Sequence, residues 1–293
     1  MPRFLRRKDI DDRRWDEAVD RDPSGLPYGF TWWLDAVTDR RWGGVILDDY
    51  RAVLPLPYAR KLGRFTQVQR GNFTQQGGPW GTWSGPDVTD LLSDLPGGIL
   101  KLDLPLSARV TEAVIPPGYT IRYRTNYVLG LDRPREEITR NFHRALRRKL
   151  KRFPAPGHLR PASAEEIIGL YRPVAGVKAG LKELHYARVK ALMQAANLHG
   201  TGRQLALEDD GGQLLAAGFF PTHKGRCLNL FGASSEAGYA KEGMTRLLLA
   251  LLDYEPADKL LDFEGSDLPG VATFFRSFGP VEEGYLQIGR SAV

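Results

Sequence analysis

Apolar and polar positions divide the chain into short helices and strands. Residues 9–19 carry acidic side chains in the opening turn and place Trp15, Ala18 and Val19 on one side, which predicts a helix ended by Asp22-Pro23-Ser24-Gly25. Thr31 caps a second helix over 31–37. Strand-like runs follow at 44–47, 51–58 and 65–69, with Asp48-Asp49-Tyr50 as the first turn between them. A polar, glycine-rich loop at 72–78 leads to a short helix over 87–92 and a strand over 99–104. Beyond Pro116-Pro117-Gly118, the strongest candidate for a domain boundary, Pro134 opens a long helix through Arg152, stopped by Pro154-Ala155-Pro156-Gly157.

The second half continues with helices over 164–171 and 184–198 and with strands over 203–208, 214–222 and 226–233. Asp209-Asp210-Gly211-Gly212 and His223-Lys224-Gly225 turn that meander. A helix over 241–254 follows, its apolar stripe formed by Met244, Leu247, Leu248, Leu251 and Leu252. A strand at 260–264, an aromatic helix ending at Gly279-Pro280 and a last strand at 285–288 complete the chain. Both halves therefore run helices, three antiparallel strands, a helix and another strand.

Composition narrows the class. The 293 residues suffice for two domains, and a net charge of +6 suits an anionic partner without selecting one. No apolar run is long enough to span a bilayer. The basic N-terminus is followed by Asp9-Ile10-Asp11-Asp12 instead of an apolar segment, which argues against a signal peptide and for a cytoplasmic protein. A single cysteine, Cys227, excludes an intramolecular disulfide; it lies in an apolar strand and reads as an inert core residue. The five histidines show no metal-ligand spacing, so no metal is expected.

Candidate chemistry concentrates in three places. In Leu260-Leu261-Asp262-Phe263-Glu264-Gly265-Ser266, strand alternation puts Asp262 and Glu264 on one face and Leu261 and Phe263 on the other. Carboxylates at the end of a buried strand are costly unless hydrogen-bonded or used. The small-residue loop from Ala233 through Ser234, Ser235, Gly238 and Tyr239 to Lys241 and Gly243 precedes an apolar helix. Free N–H groups at a helix start suit a phosphate or pyrophosphate. Between Arg144 and Arg152 six of nine residues are basic, either a solvated face or a binding surface for RNA phosphates or the 3′-phosphate of CoA. Gln75 and Gln76, flanked by Phe73, Trp80 and Trp83, are either a substrate groove or a loop packed by its own aromatics.

The meander–loop–helix–strand–helix–strand order joins several local matches: Asp48-Asp49-Tyr50-Arg51-Ala52-Val53-Leu54-Pro55-Leu56-Pro57, Phe73-Thr74-Gln75-Gln76-Gly77, Leu261 through Ser266, and Phe274-Phe275-Arg276-Ser277-Phe278-Gly279. In these the chain resembles the FemAB-like branch of the Gcn5-related N-acetyltransferase (GNAT) superfamily. The resemblance implies an α/β fold with an α+β mixed sheet and two tandem acyl-CoA N-acyltransferase (GNAT)-like domains. Residues 1–118 would be a degenerate first domain completing the acceptor groove, and 119–293 would hold the donor site between strands 226–233 and 260–264. It implies N-acyl transfer to a primary amine on a small molecule or peptide, with acetyl-CoA or another acyl-CoA as donor. Glu264 is expected as base, Asp262 as its electrostatic partner, and Tyr285 or Tyr239 as acid. Ser234, Ser235, Gly238, Tyr239, Lys241 and Gly243 are expected to hold the donor.

The chain departs from the superfamily where Glu236-Ala237-Gly238-Tyr239-Ala240-Lys241 replaces the acyl-CoA signature Arg/Gln-x-x-Gly-x-Gly/Ala. Two alternatives follow. One is Fem-like aminoacyl transfer from tRNA, held by Arg144, Arg147, Arg148 and Lys151, to a peptidoglycan precursor or peptide. The other is a non-catalytic binding protein that keeps the fold.

Overall fold

The computed structural model describes residues 1–61, 65–153, 157–255, 257–265 and 269–291. The expected stop at Pro154-Ala155-Pro156 and the residue Ser266 lie outside them. The chain forms two compact units, one made of Met1–Thr125 and Glu283–Val293, the other of Asn126–Glu282.

The first unit contains strand β1 (Pro2–Arg6), helices α1 (Asp12–Arg21) and α2 (Thr31–Thr38), and strands β2 (Trp42–Leu47), β3 (Ala52–Lys61), β4 (Phe65–Gln69) and β5 (Trp80–Gly81). Helix α3 (Gly85–Ser93) and strand β6 (Ile99–Pro105) follow. Neighbouring strands run β1-β2-β3-β4-β6, antiparallel except for the parallel pair β4–β6, whose connection carries α3. The Asp11 carboxylate caps α1 by accepting the Arg14 N–H at 3.1 Å. Ser84 and Asp87 close a capping box on α3. Strand β1 pairs along β2 although its sequence, rich in arginine, carries no clean alternation. Val45, Leu54, Val88, Leu91, Leu104 and Ile288 lie in its core.

Strand β7 (Thr120–Gly130) enters the second unit at Asn126. Next come α4 (Arg135–Arg140), α5 (Arg144–Leu150), β8 (His158–Pro161), α6 (Ala164–Tyr171), a π-helical turn (Arg172–Gly176) and α7 (Glu183–Leu198). Strands β9 (Gln204–Glu208), β10 (Leu214–Phe219), β11 (Thr222–His223), β12 (Arg226–Leu228) and β13 (Phe231–Ser234) precede α8 (Glu236–Ala240) and α9 (Gly243–Leu251). Strand β14 (Leu260–Asp262), α10 (Pro269–Arg276) and β15 (Val281–Ser291) end the chain, and β15 from Glu283 onward belongs to the first unit.

Two sheets organise the second unit: β7-β14-β12-β11, in which β12 and β14 are parallel, and the antiparallel β13-β10-β9-β8. The helix expected from Pro134 to Arg152 is in fact two, broken at Asn141-Phe142-His143. Phe142 turns into the core against Phe278, with ring centroids 5.3 Å apart, while the His143 N–H leaves the helical ladder for the Ser277 carbonyl at 2.8 Å. Gly279 abuts this break so closely that a Cβ there would lie 2.5 Å from the Asn141 carbonyl oxygen. The helix expected over 241–254 is α9, shorter at both ends, and the loop expected before it contains the short helix α8; the two are parted where Glu242 takes a left-handed φ of 55°.

Gly238 and Gly243 let these two helices close on β10. A Cβ on Gly238 would overlap the Leu215 carbonyl oxygen, and one on Gly243 would lie 2.6 Å from the same atom. Gly238→Ala is therefore expected to cost about 3 kcal/mol through overpacking against backbone that cannot yield. Urea unfolding, followed by fluorescence, should show a lower midpoint with an unchanged slope.

Candidate active site

Register places the site. Across β12, β14 and β7, Cys227 lies beside Leu261 and Leu261 beside Leu129, and these three face the apolar core of the second unit with Phe263, Leu247 and Phe275. Alternation sends Arg226, Asp262 and Asn126 to the opposite face. All three are buried. The Arg226 guanidinium donates to Asp262 Oδ2 through Nε at 2.8 Å and approaches it through Nη2 at 2.6 Å. The Asn126 side chain also bonds to this carboxylate, and its own Oδ1 accepts the Tyr127 N–H at 2.8 Å. Burial pushes the Asp262 carboxyl up, against the pull of Arg226 and of the hydrogen bonds it accepts.

The other Asp262 oxygen, Oδ1, accepts the Glu264 N–H at 2.8 Å. The structure thus joins Asp262 to Glu264, but through the main chain. β14 ends at Asp262, and Glu264 lies beyond it with φ 66°, followed by Gly265 at φ 57°. Glu264 therefore does not share a strand face with Asp262 as alternation alone suggests. A left-handed non-glycine residue is uncommon and marks a place where the surroundings impose the backbone. Its carboxylate side chain is half-buried.

The strand expected over 226–233 is two. β12 pairs with β14, whereas β13 pairs with β10 in the other sheet. The chain forks at Asn229-Leu230. The Asn229 N–H reaches the Asp262 carbonyl at 2.8 Å, the last bond before the parting. On the far side, Phe231 stacks on Tyr171 with centroids 3.9 Å apart. Glu264 and Asn229 are thus both anchored on Asp262, one to its side chain and the other to its main chain.

The expected donor loop has a definite internal structure. Ser235 Oγ caps α8 by accepting the Gly238 N–H at 2.9 Å and donates to the Leu214 carbonyl at 2.6 Å. Ser234 Oγ accepts the Met244 N–H at 3.0 Å in the first turn of α9. Lys241 Nζ sits 2.6 Å from Asp209 Oδ2 and donates to Gln213 Oε1 at 3.1 Å. Tyr239 is exposed. Together with Gly238 and Gly243 against Leu215, these contacts account for the small residues of the loop by packing and capping.

Tyr285 belongs to the first unit, buried on β15. Gln75 and Gln76 are buried there too, with Gln76 Oε1 accepting the Ala108 N–H at 2.7 Å. Cys227 is buried, and desolvation pushes its thiol up to about 12, so it stays protonated. Among the described residues no cluster of His, Cys, Asp or Glu could hold a metal ion. No helix among them is long and apolar enough to cross a membrane.

On α5 the side chains of Arg144, Arg147 and Arg148 are exposed, as is Lys151 just beyond it, and none of the four has an anionic partner among the described residues. Lys149 instead reaches Glu242 Oε1, at the start of α9, at 2.9 Å. Leu146 turns inward to the core. Sequence reasoning passed over Arg226, Asn126 and Asn229. Their signal was weak: Asn229 is a single polar residue between leucines, while Arg226 and Asn126 stand at the polar starts of apolar strand segments.

No family model and no curated protein sequence matches the chain. Solved structures do. FemX superposes with a TM-score of 0.72 over 97% of this chain and 96% of its own, at 12% identity. The chain has the FemX fold, the FemAB-like architecture expected from its sequence. A conserved protein of unknown function from Bacteroides thetaiotaomicron VPI-5482 gives 0.64 over 98% and 99%, at 13% identity. L-PGS from Bacillus licheniformis gives 0.58 over 95% and 91%, at 16% identity.

Removing one member of the buried pair strands the other. Arg226→Met or Asp262→Leu alone is expected to cost about 3–5 kcal/mol, whereas the double variant recovers much of that loss. Chemical denaturation of the four proteins measures the cycle. Additive losses would show that the two charges act independently.

Proposed function

We propose that the protein is an aminoacyltransferase that moves an aminoacyl group from charged tRNA to a primary amine at the fork between β12 and β13. The observation that carries this reading is the row of unneutralised guanidinium and ammonium groups on and just after α5. Four cations with no anionic partner among the described residues suit a polyphosphate backbone better than the single 3′-phosphate of CoA. Two further observations agree with it. The loop expected to hold an acyl-CoA pyrophosphate commits Ser234, Ser235 and Lys241 to internal bonds. A neighbour in fold from Agrobacterium fabrum, with a TM-score of 0.51, is described as the C-terminal domain of a putative lysylphosphatidylglycerol synthetase, a name that denotes an aminoacylated product.

The step balances without a metal or a redox partner. The amine nitrogen attacks the ester carbon of the aminoacyl group, and a C–N bond replaces the C–O bond to the terminal ribose. The amine gives up a proton to the Glu264 carboxylate, and the departing ribose oxygen takes one up. Glu264 is the base of this reading because it is a half-buried carboxylate held at the fork by its own backbone. Ser234, Ser235 and Gly243 then act as the frame that fixes α9, and Tyr285 has no assigned role.

The test is a thermal-shift and filter-binding titration with bulk tRNA and with acetyl-CoA, at two salt concentrations. Saturable tRNA binding that weakens steeply with salt is the expected result, with Arg147→Glu/Arg148→Glu weakening it about tenfold or more. A saturable, salt-tolerant response to acetyl-CoA alone would replace this donor by acyl-CoA. Silence toward both would favour a binding protein that retains the fold. In a transfer assay from charged tRNA to an amine, Glu264→Gln should lower kcat by about 10²-fold while leaving tRNA affinity unchanged.

A further inference from the structure

The fork contains a polar group that the fold itself does not use. Asn229 is 9% exposed, and its side-chain oxygen Oδ1 is fully buried with no hydrogen-bond partner among the described residues. Asp262, whose carbonyl takes the Asn229 N–H, is itself satisfied, its side chain bonded to Arg226 and to the Glu264 N–H. A buried acceptor left unpaired lowers stability, and native proteins rarely keep one without a use. Asn229 stands where the two sheets part, its own N–H on the Asp262 carbonyl, while the Asp262 side chain holds the Glu264 N–H. A single residue therefore fixes the orphaned carbonyl and the candidate base in one place.

We propose that the Asn229 side-chain carbonyl is a substrate-binding group that accepts a hydrogen bond from the N–H of an amine seated at the fork. An amide oxygen only accepts, so its partner must bring the hydrogen. Phosphate, carboxylate and the ester carbonyl of an acyl donor have none to give. A ribose hydroxyl or an amine does, and of the two the amine is the attacking group: one N–H held by Asn229 fixes the orientation of the nitrogen while another faces the base. This assignment rests on the aminoacyl-transfer reading for its substrates, with the amine coming from the acceptor or from the α-amino group of the donor. It does not rest on that reading for the binding of an amine as such.

The experiment compares the wild type with Asn229→Leu, which keeps the volume and removes the acceptor, and with Asn229→Ala should the leucine variant fold poorly. Because the carbonyl is unpaired in the free protein, Asn229→Leu is expected to melt at the same temperature as the wild type or higher. Glycinamide should raise the melting temperature of the wild type and not of the variant. Transfer kcat/KM should fall by about 30-fold, the loss of one hydrogen bond to a buried group, with tRNA affinity unchanged. Equal glycinamide stabilisation of both proteins, or full transfer by the variant, overturns the proposal. So does a variant that melts several degrees lower with intact transfer, since the amide is then a structural group. Repeating the assay with N-acetylated aminoacyl-tRNA identifies the amine: dependence on Asn229 persists if the acceptor supplies it and disappears if the donor does. A wild type that ignores tRNA yet shows Asn229-dependent glycinamide binding would sink the transfer reading alone.

Discussion

The buried Arg226–Asp262 pair is the constraint on which the second unit depends. Both residues lie on the face of β12 and β14 opposite the apolar core, where an unpaired charge would be prohibitively costly. The parallel register, Leu228 beside Asp262 and Arg226 beside Leu260, brings guanidinium and carboxylate within reach; a slip of one residue would send one of them into the core. The pair is weak support for stability as such, since burying two charges costs roughly what their attraction returns. Its effect is on uniqueness. The observed register satisfies both groups, and Asn126 from β7 completes the set.

From that lock the site follows by short steps. With one Asp262 oxygen on Arg226, the other is left to take the Glu264 N–H, which holds Glu264 in a left-handed conformation beyond the strand. The same residue's carbonyl takes the Asn229 N–H, and beyond it β13 pairs with β10 in the other sheet. The fork is thus a consequence of where the hydrogen bonds of one aspartate end. Phe275 and Phe278 pack on Phe263 at the apolar side, with ring centroids 5.1 Å and 5.3 Å from its own, and give the strand end a floor.

The sequence carried much of the element order because period and turn chemistry are local properties, and the FemAB-like fold through its resemblance to that family. Helix α6 (Ala164–Tyr171) stands where its pattern placed it, and Ser163 caps it as its side chain suggests. Breaks imposed by tertiary contacts were not legible. The run from Pro134 to Arg152 is helical throughout by propensity, and only the docking of Phe142 and the His143–Ser277 bond divides it. The stretch 226–233 reads as a single strand because it is mostly apolar with no glycine or proline inside it before Gly232, while the fork arises where β12 pairs with β14 and β13 with β10. Asp262 and Glu264 were visible as costly carboxylates. Arg226 and Asn126, which give Asp262 its environment, were not, since neither pairing can be inferred from spacing along the chain.

The small residues between β13 and α9 show why composition misleads about phosphate sites. A run of serine and glycine before a helix describes two physical situations: backbone N–H groups left free for an anion, or a chain pressed against its own scaffold. Here the second explains each residue in turn, because the two glycines face the Leu215 carbonyl and the serine hydroxyls already accept helix N–H groups. Helix α5 presents the opposite case. Its arginines have no anionic partner among the described residues, although Lys149 in the same turn finds Glu242. A charge the fold does not neutralise is available to a ligand, and this distinction is why the proposed tRNA donor rests on the basic helix and not on the glycine loop.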